Sequence, residues 1–536
     1  MKIDNNNNCI GRRDAIRLAG TGALAALPLG KGKASLFSLC DDERGMYFPK
    51  KEYVEEPLPT FEGSKGMLPR PVLDGSPGLV ELYWTCWRMA FDHLKRPTPE
   101  NGFVSNYLDE AFNPNIFQWD TIFMVMFARY GHHLFPAVQS LDNFYAKQHK
   151  NGFICREIWE IDGRDHFREF RNESVNPPLF SWAEMESFRL SGDKRRLADV
   201  ALVLEKYTAW LETARKKKRT AHGLYWNNGL GSGMDNTPRK GSGWVDMSSQ
   251  MVMQYRDLGR IHEVLGDSKR AESFSARAAE IGKRINRWMW NEEDGLYYDV
   301  DNRGEQVKWK TAASFWPMLA GVTSPGQEER LIANLKDPDA FWRMNVFPTL
   351  AADQEHYDPT GRYWKGGVWA PTNYMIVRGL AMNGHHKFAA EAAGRYVGEI
   401  HRVYEKTGTV WELYAPDIAR PGTGSQGESG LHQARPDFVG WTGCGPIAML
   451  IENMIGIDAD AMSGTITWRL GRSDRFGIED LWFGGRTVSL VCEERASAAS
   501  PATLRVSCDK AFKLVLVRDG IERSFDLSAG DHDLSF

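Results

Sequence analysis

Gly231-Ser-Gly-Met-Asp-Asn-Thr-Pro-Arg239 is a glycine-crowded loop carrying one carboxylate, Asp235, between two runs of helical periodicity. The run before it covers 193–215 and the run after it 244–265, so Asp235 falls on a long helix-to-helix connection. Taken alone, Gly-x-Asp-Asn is ordinary turn chemistry, because Asn and Asp bond their own backbone and tolerate left-handed geometry. Its meaning depends on the connections around it.

Outward from this loop, apolar residues recur at helical spacing over 78–94, 118–130, 134–148, 179–190, 268–290, 310–319, 326–335, 367–382, 385–403 and 438–455. With the two flanking runs this makes twelve predicted helices. Long connections alternate with short ones along the whole series, which places every long loop at the same end of a set of antiparallel neighbours. The expected fold is mainly α: an (α/α)6 barrel, a double ring of six helical hairpins with one decorated face and one plain one. The catalytic barrel should occupy 78–457, after an extended lead-in at 35–77. From 458 the pattern becomes period-two alternation, as in Thr465-Ile-Thr-Trp-Arg-Leu470 and Thr487-Val-Ser-Leu-Val-Cys492. That reads as a small C-terminal antiparallel β-sandwich over 458–536, with Gly484-Gly485 as a hairpin turn.

At the other end, Arg12-Arg13 precede a short apolar run, and Gly32-Lys33-Ala34 offers small residues for cleavage. Residues 1–34 therefore read as a twin-arginine export signal, implying an exported, periplasmic protein. The apolar run is too short to span a bilayer, so no membrane span is expected.

A formal net charge of −4 with interspersed signs leaves no basic stripe and argues against a nucleic-acid partner. The seven cysteines show no Cys-x-x-Cys pair and no histidines at zinc spacing, so neither a metal centre nor a cofactor is expected, with a structural calcium left open. Cys86 and Cys444 read as buried thiols, whereas Cys492 and Cys508 could pair across neighbouring strands. Several of the 19 tryptophans adjoin loop Gly, Asp, Asn or Glu. That combination suits sugars, whose C–H faces stack on flat rings while their hydroxyls bond carboxylates and amides.

Four segments gather such residues on the long-loop face. Phe117-Gln-Trp-Asp120 opens a helix, where Asp120 is either an N-terminal carboxylate or a ligand contact. The second segment is the Asp235 loop. Tyr363-Trp-Lys-Gly-Gly-Val-Trp369 leads into another helix, with Trp369 either packing there or lining a pocket. Trp411-Glu-Leu-Tyr414 brings Glu412 between aromatic rings. Two carboxylates on separate loops of one cleft are the minimum apparatus of glycoside hydrolysis. One must be held protonated by burial; the other must be kept charged by solvation or donors.

These motifs, with Gly440-Trp-Thr-Gly443, resemble in order and spacing the inverting (α/α)6 glycosidases of glycoside hydrolase family 63, including mannosylglycerate-hydrolase-like members, and more distantly the trehalases of family 37. The resemblance implies Asp235 as general acid and Glu412 as general base. It also implies Trp119 and Asp120 as ligands of the cleaved sugar, with Lys365 and Trp369 lining the same pocket beside Trp411. Gln118, Arg156, Asn176, Arg239 and Glu428 are further candidates for hydroxyl contacts. Lys365 stands where many relatives carry Arg, and the large N-terminal β domain of longer members is missing. The expected function is exo-acting cleavage of a terminal, α-linked sugar from an oligosaccharide or glycoside by inversion. A disaccharide phosphorylase and a non-catalytic carbohydrate-binding protein on the same barrel are the alternatives; a polysaccharide lyase would betray itself by an unsaturated product.

Overall fold

A computed structural model describes residues 43–109, 114–216, 219–424 and 434–536. The leader with its paired arginines, Cys9, Cys40 and Glu428 lie outside the described residues. Helices stand at the expected places: α1 (Pro77–Asp92), α2 (Gln118–Ala128), α3 (Asp142–Tyr145), α4 (Phe180–Ser191), α5 (Lys194–Ala214), α6 (Val245–Leu265), α7 (Ser268–Trp288), α8 (Trp316–Ala320), α9 (Pro325–Leu335), α10 (Ala370–Met382), α11 (His386–Thr407) and α12 (Gly445–Ile455).

Burial sorts them into two kinds. Every residue of α2 is buried, and so is every residue of α10 up to Leu380, the mark of helices surrounded by protein. By contrast α7 buries only Ala278, Ile281, Gly282 and Ile285, a single stripe at helical spacing. The even-numbered helices form a circuit: α2 packs on α4, α4 on α6, α6 on α8, α8 on α10, α10 on α12 and its leading turn, and these return to α2. Among the odd-numbered helices, α1 and α11 lie on α12, and α5 and α7 lie on α6.

The short links have a shared local cause. At Gly192-Asp193 and Gly266-Asp267 the glycine closes one helix in the left-handed region, with φ of 71° and 82°. The aspartate then caps the next helix, Asp193 accepting from the amides of Arg195 and Arg196 and Asp267 from that of Arg270. Two residues thus suffice to reverse the chain.

Three predicted helices differ from expectation. The run at 310–319 opens as a 3-10 turn, Ala312–Phe315, and gives only the five-residue α8. The run at 134–148 yields only a 3-10 turn, Val138–Leu141, leading into α3. Pro136 interrupts it, and its carbonyl accepts from the Ser140 hydroxyl. The run at 438–455 starts late, as a 3-10 turn (Thr442–Cys444) followed by the wide i→i+5 winding of α12.

Two sheets make up the β-rich part. Its strands are β1 (Arg70–Leu73), β2 (Ile457–Asp460), β3 (Thr465–Arg469), β4 (Phe476–Phe483), β5 (Arg486–Cys492), β6 (Thr503–Cys508), β7 (Phe512–Arg518), β8 (Ile521–Leu527) and β9 (Gly530–Ser535). One sheet has the order β1-β4-β5-β6-β9, the other β2-β3-β7-β8. The expectation of an all-antiparallel domain confined to 458–536 is corrected twice. β3 and β7 run parallel, and β1, from the supposed lead-in, pairs with β4 through Leu73↔Phe476 and Arg70↔Glu479. Gly484 and Gly485, both at positive φ, form the two-residue turn between β4 and β5. Cys492 and Cys508 do not pair: Cys492 faces Leu504 and Cys508 faces Val488, at opposite ends of the β5–β6 ladder, and both thiols are free. Cys86 and Cys444 are buried and form no disulfide. No helix among the described residues is long and apolar enough to cross a membrane.

Candidate active site

The loop before α6 is shaped by its own side chains. Asn228 caps a single helical turn, Gly229–Ser232, by accepting from the amide of Gly231 at 2.7 Å. Gly233 ends that turn at φ 74°, and a Cβ there would stand 3.0 Å from the Trp119 ring. Ser232 Oγ accepts from the Met234 amide and Thr237 Oγ1 donates to the Met234 carbonyl, fixing Asp235 between them. Two consecutive residues then grip the loop before α10. Asp235 accepts from the Tyr363 hydroxyl at 3.1 Å, and Asn236 Oδ1 accepts from the Trp364 amide at 2.9 Å. Tyr363 holds its place with φ of 54°, an uncommon conformation for a bulky residue. Behind it, Trp364 and Trp369 stack face to face, 3.9 Å apart at 4°.

Glu412 arrives from the loop between α11 and α12. Its amide donates to the Arg435 carbonyl, its own carbonyl accepts from Trp441 Nε1 at 2.8 Å, and the Arg435 amide reaches its carboxylate at 3.4 Å. The side chain is 4% exposed. Burial pushes its pKa up to about 7; the Arg435 amide and charge oppose the rise, and the Asp235 carboxylate adds to it. The sequence pointed to a Glu412 kept charged by solvation or donors; the structure instead gives it a dry setting with one long amide contact.

Asp120 stands in the first turn of α2, 5% exposed, with Oδ1 buried and without a hydrogen-bond partner among the described residues. Burial raises its pKa well above the usual range; Asp109, Glu157 and Glu412 push the same way, against its own backbone amide. Trp119 Nε1, next to it, is likewise buried and unpartnered. Buried polar atoms are costly when left unmet, and this pair carries one such donor and one such acceptor.

Asp235, Glu412, Trp119 and Asp120 are therefore brought together, and Lys365 is half-buried in the same loop as Tyr363. Other candidates serve the frame. The guanidinium of Arg239 is bound by Asp246 and Asp299 and lies over Trp244, leaving it no free side for a ligand. Gln118 uses its amide on the Pro177 carbonyl and the Tyr207 hydroxyl. Arg156 ties the Leu230 carbonyl at 2.6 Å and pairs with Glu157, so it braces the Asp235 loop. Trp369 is fully buried behind Trp364 with its Nε1 on the Tyr363 carbonyl, and Trp411 Nε1 is held by Thr407. Asn176 is buried, one residue before Pro177 and next to Val175, whose carbonyl a Cβ at Gly231 would meet at 2.9 Å.

Sequence reasoning missed Tyr363, Asn236 and Trp364 as individual participants, although all stand inside the quoted motifs. It had no signal for Asp109 and Glu157, which reach Asp120 only through the fold. Among the described residues, no group of three or more His, Cys, Asp or Glu side chains is placed to hold a metal ion.

Residues 113–429, more than half of the chain, match the family described as the mannosylglycerate hydrolase MGH1-like glycoside hydrolase domain. The chain belongs to this family. As an MGH1-like glycoside hydrolase it has structural likenesses that show the same fold. The GH63 mannosylglycerate hydrolase from Thermus thermophilus, solved in complex with glucose, aligns with a TM-score of 0.53 at 19% identity, over 69% of this chain and 100% of that one. A structure described as a sialidase aligns with a TM-score of 0.64 at 16% identity, over 88% of this chain and 43% of that one. An uncharacterised protein of Borreliella burgdorferi is 26% identical over 373 residues, 69% of this glycoside hydrolase and 77% of its own length.

Proposed function

We propose that this glycoside hydrolase removes one terminal, α-linked sugar from an oligosaccharide or small glycoside with inversion, Asp235 acting as general acid and Glu412 as general base. The observation that carries the reading is the meeting of Asp235, a buried Glu412 and an unpartnered Asp120 Oδ1 at one place. A base is most effective with a pKa near the working pH, and Glu412, at about 7, has that property. Tyr363 fixes the Asp235 carboxyl toward the cleft, while Asp120 and Trp119 take hydroxyls of the departing sugar. Lys365 offers the ligand a positive charge. We read the helix circuit as the inner ring of an (α/α)6 barrel whose long-loop face carries this pocket. In the same reading, 78–457 forms the catalytic unit and 1–34 directs export to the periplasm.

The test is a panel of α- and β-glycosides, mannosylglycerate included because a relative is named for it, with the first-formed anomer read by NMR. An α-glycoside should release the β-anomer. Release of the α-anomer would remove the base role from Glu412, and sugar binding without any product would favour a non-catalytic carbohydrate-binding protein.

A further inference from the structure

At the end opposite Asp235 the helices and the sheets leave a groove of about 1070 Å³. It is reached by following α10 from Ala370, beside the candidate site, to Ala381 and Met382 on the groove wall. Such a helix is roughly 20 Å long, so the two places are separate.

Positive side chains outnumber negative ones on the groove lining, seven Lys and Arg against five Asp and Glu. The groove contains the start of α11, whose first turn, His386-Lys387-Phe388, has no acidic residue and receives no side-chain cap from His385. The His385 ring turns instead to Glu328, at 3.1 Å. The first amides of a helix of this length carry partial positive charge and bind anions readily. Arg469, on β3, faces the same space. Its ion pair with Asp458 is long, at 3.9 Å, and that carboxylate is already taken by Arg189 at 2.6 Å. Lys336 adds a third positive group, its ammonium 4.6 Å over the ring of Phe388.

Arg378 supplies an independent sign. It is 7% exposed, lines the groove, and has a buried Nε without a hydrogen-bond partner, although its outer nitrogens hold Glu186 and Glu452. Three of the five acidic side chains on the walls are committed, Glu452 to Arg129, Asp458 to Arg189 and Asp519 to Lys387; Glu391 and Glu522 also line the groove, and Glu522 interacts with Arg469. Consistent with unbalanced positive charge, His386 is held down at about 4, first by burial and then by Arg469.

We propose that this groove is an oxyanion-binding site, taking a phosphate or sulfate group that is either free or carried on a sugar. Its geometry is independent of the catalytic assignment at Asp235.

The experiment measures thermal unfolding and calorimetric binding of the full chain with sodium sulfate, sodium phosphate and glucose 6-phosphate, against sodium chloride at matched ionic strength. The wild type should gain several degrees in Tm over the chloride control. Arg469→Ala and Lys336→Glu should each weaken binding by tenfold or more while leaving glycosidase kcat/KM unchanged. The second variant lies on an exposed side chain and keeps the test alive if the first unfolds. Tighter binding of glucose 6-phosphate than of phosphate would assign the sugar-borne form, and equal binding the free oxyanion. An equal response of wild type and both variants, or none beyond chloride, would overturn the proposal.

Discussion

Glu412 concentrates the electrostatics of the candidate site in one side chain. Its pKa rises from 4.5 to about 7 on folding, mostly through burial. Between those values the folded protein keeps a proton that the unfolded chain has lost, so stability falls as pH rises through that window. At about 1.4 kcal/mol per pKa unit the penalty reaches ~3 kcal/mol above pH 7. Glu412→Gln should therefore raise Tm at pH 7.5 and leave it unchanged near pH 4.5, measured by calorimetry, while abolishing turnover. If Glu412 is the base, it must be ionised to work, and kcat/KM should decline as pH drops through about 7. An acid limb near 4.5 would assign the titration to another group. Asp235→Asn should remove nearly all hydrolysis of glycosides with poor leaving groups, assayed by product release.

The element that most directly couples the two halves of the pocket is the single turn ending at Gly233. Gly233→Ala forces a side chain into the left-handed region and against Trp119, and we expect it to cost ~2 kcal/mol and to lower kcat/KM. Gly266→Ala is the control, because it shares the positive φ but meets open space. Equal losses of activity in the two variants would disconnect Trp119 from the site. The helices themselves were legible because their apolar spacing and Gly-Asp links are local chemistry. The Pro136 interruption was present in the sequence too, but periodicity outvoted it. By contrast, nothing local distinguishes Arg239, which rests on Asp246 and Asp299, from an arginine that faces a ligand. Side-chain partners far apart in sequence decide that, and they decided equally against Gln118 and for Asp109.

Across the whole molecule, the end of the circuit farthest from Asp235 is closed by charge. Arg129 and Arg378 share Glu186 and Glu452, with Tyr374 donating to Glu452, so side chains from α4, α10 and α12 and the turn after α2 meet. Removing one partner of a buried network leaves an uncompensated charge. Glu186→Ala should cost 3–5 kcal/mol, about the range for such losses, in urea unfolding. A reducing agent should leave Tm unchanged, since none of the five cysteines among the described residues forms a disulfide.

Strand β1 leaves a mark on the way the chain must assemble. It precedes all twelve helices, yet its pairing partner β4 follows them, so the ribosome delivers the second half of that pairing on the order of 400 residues after the first. The helical body can gather step by step during synthesis, whereas the β1 edge of the larger sheet waits for β4. An N-terminal fragment ending before β4 should therefore expose the β1 edge to proteases that the full chain resists.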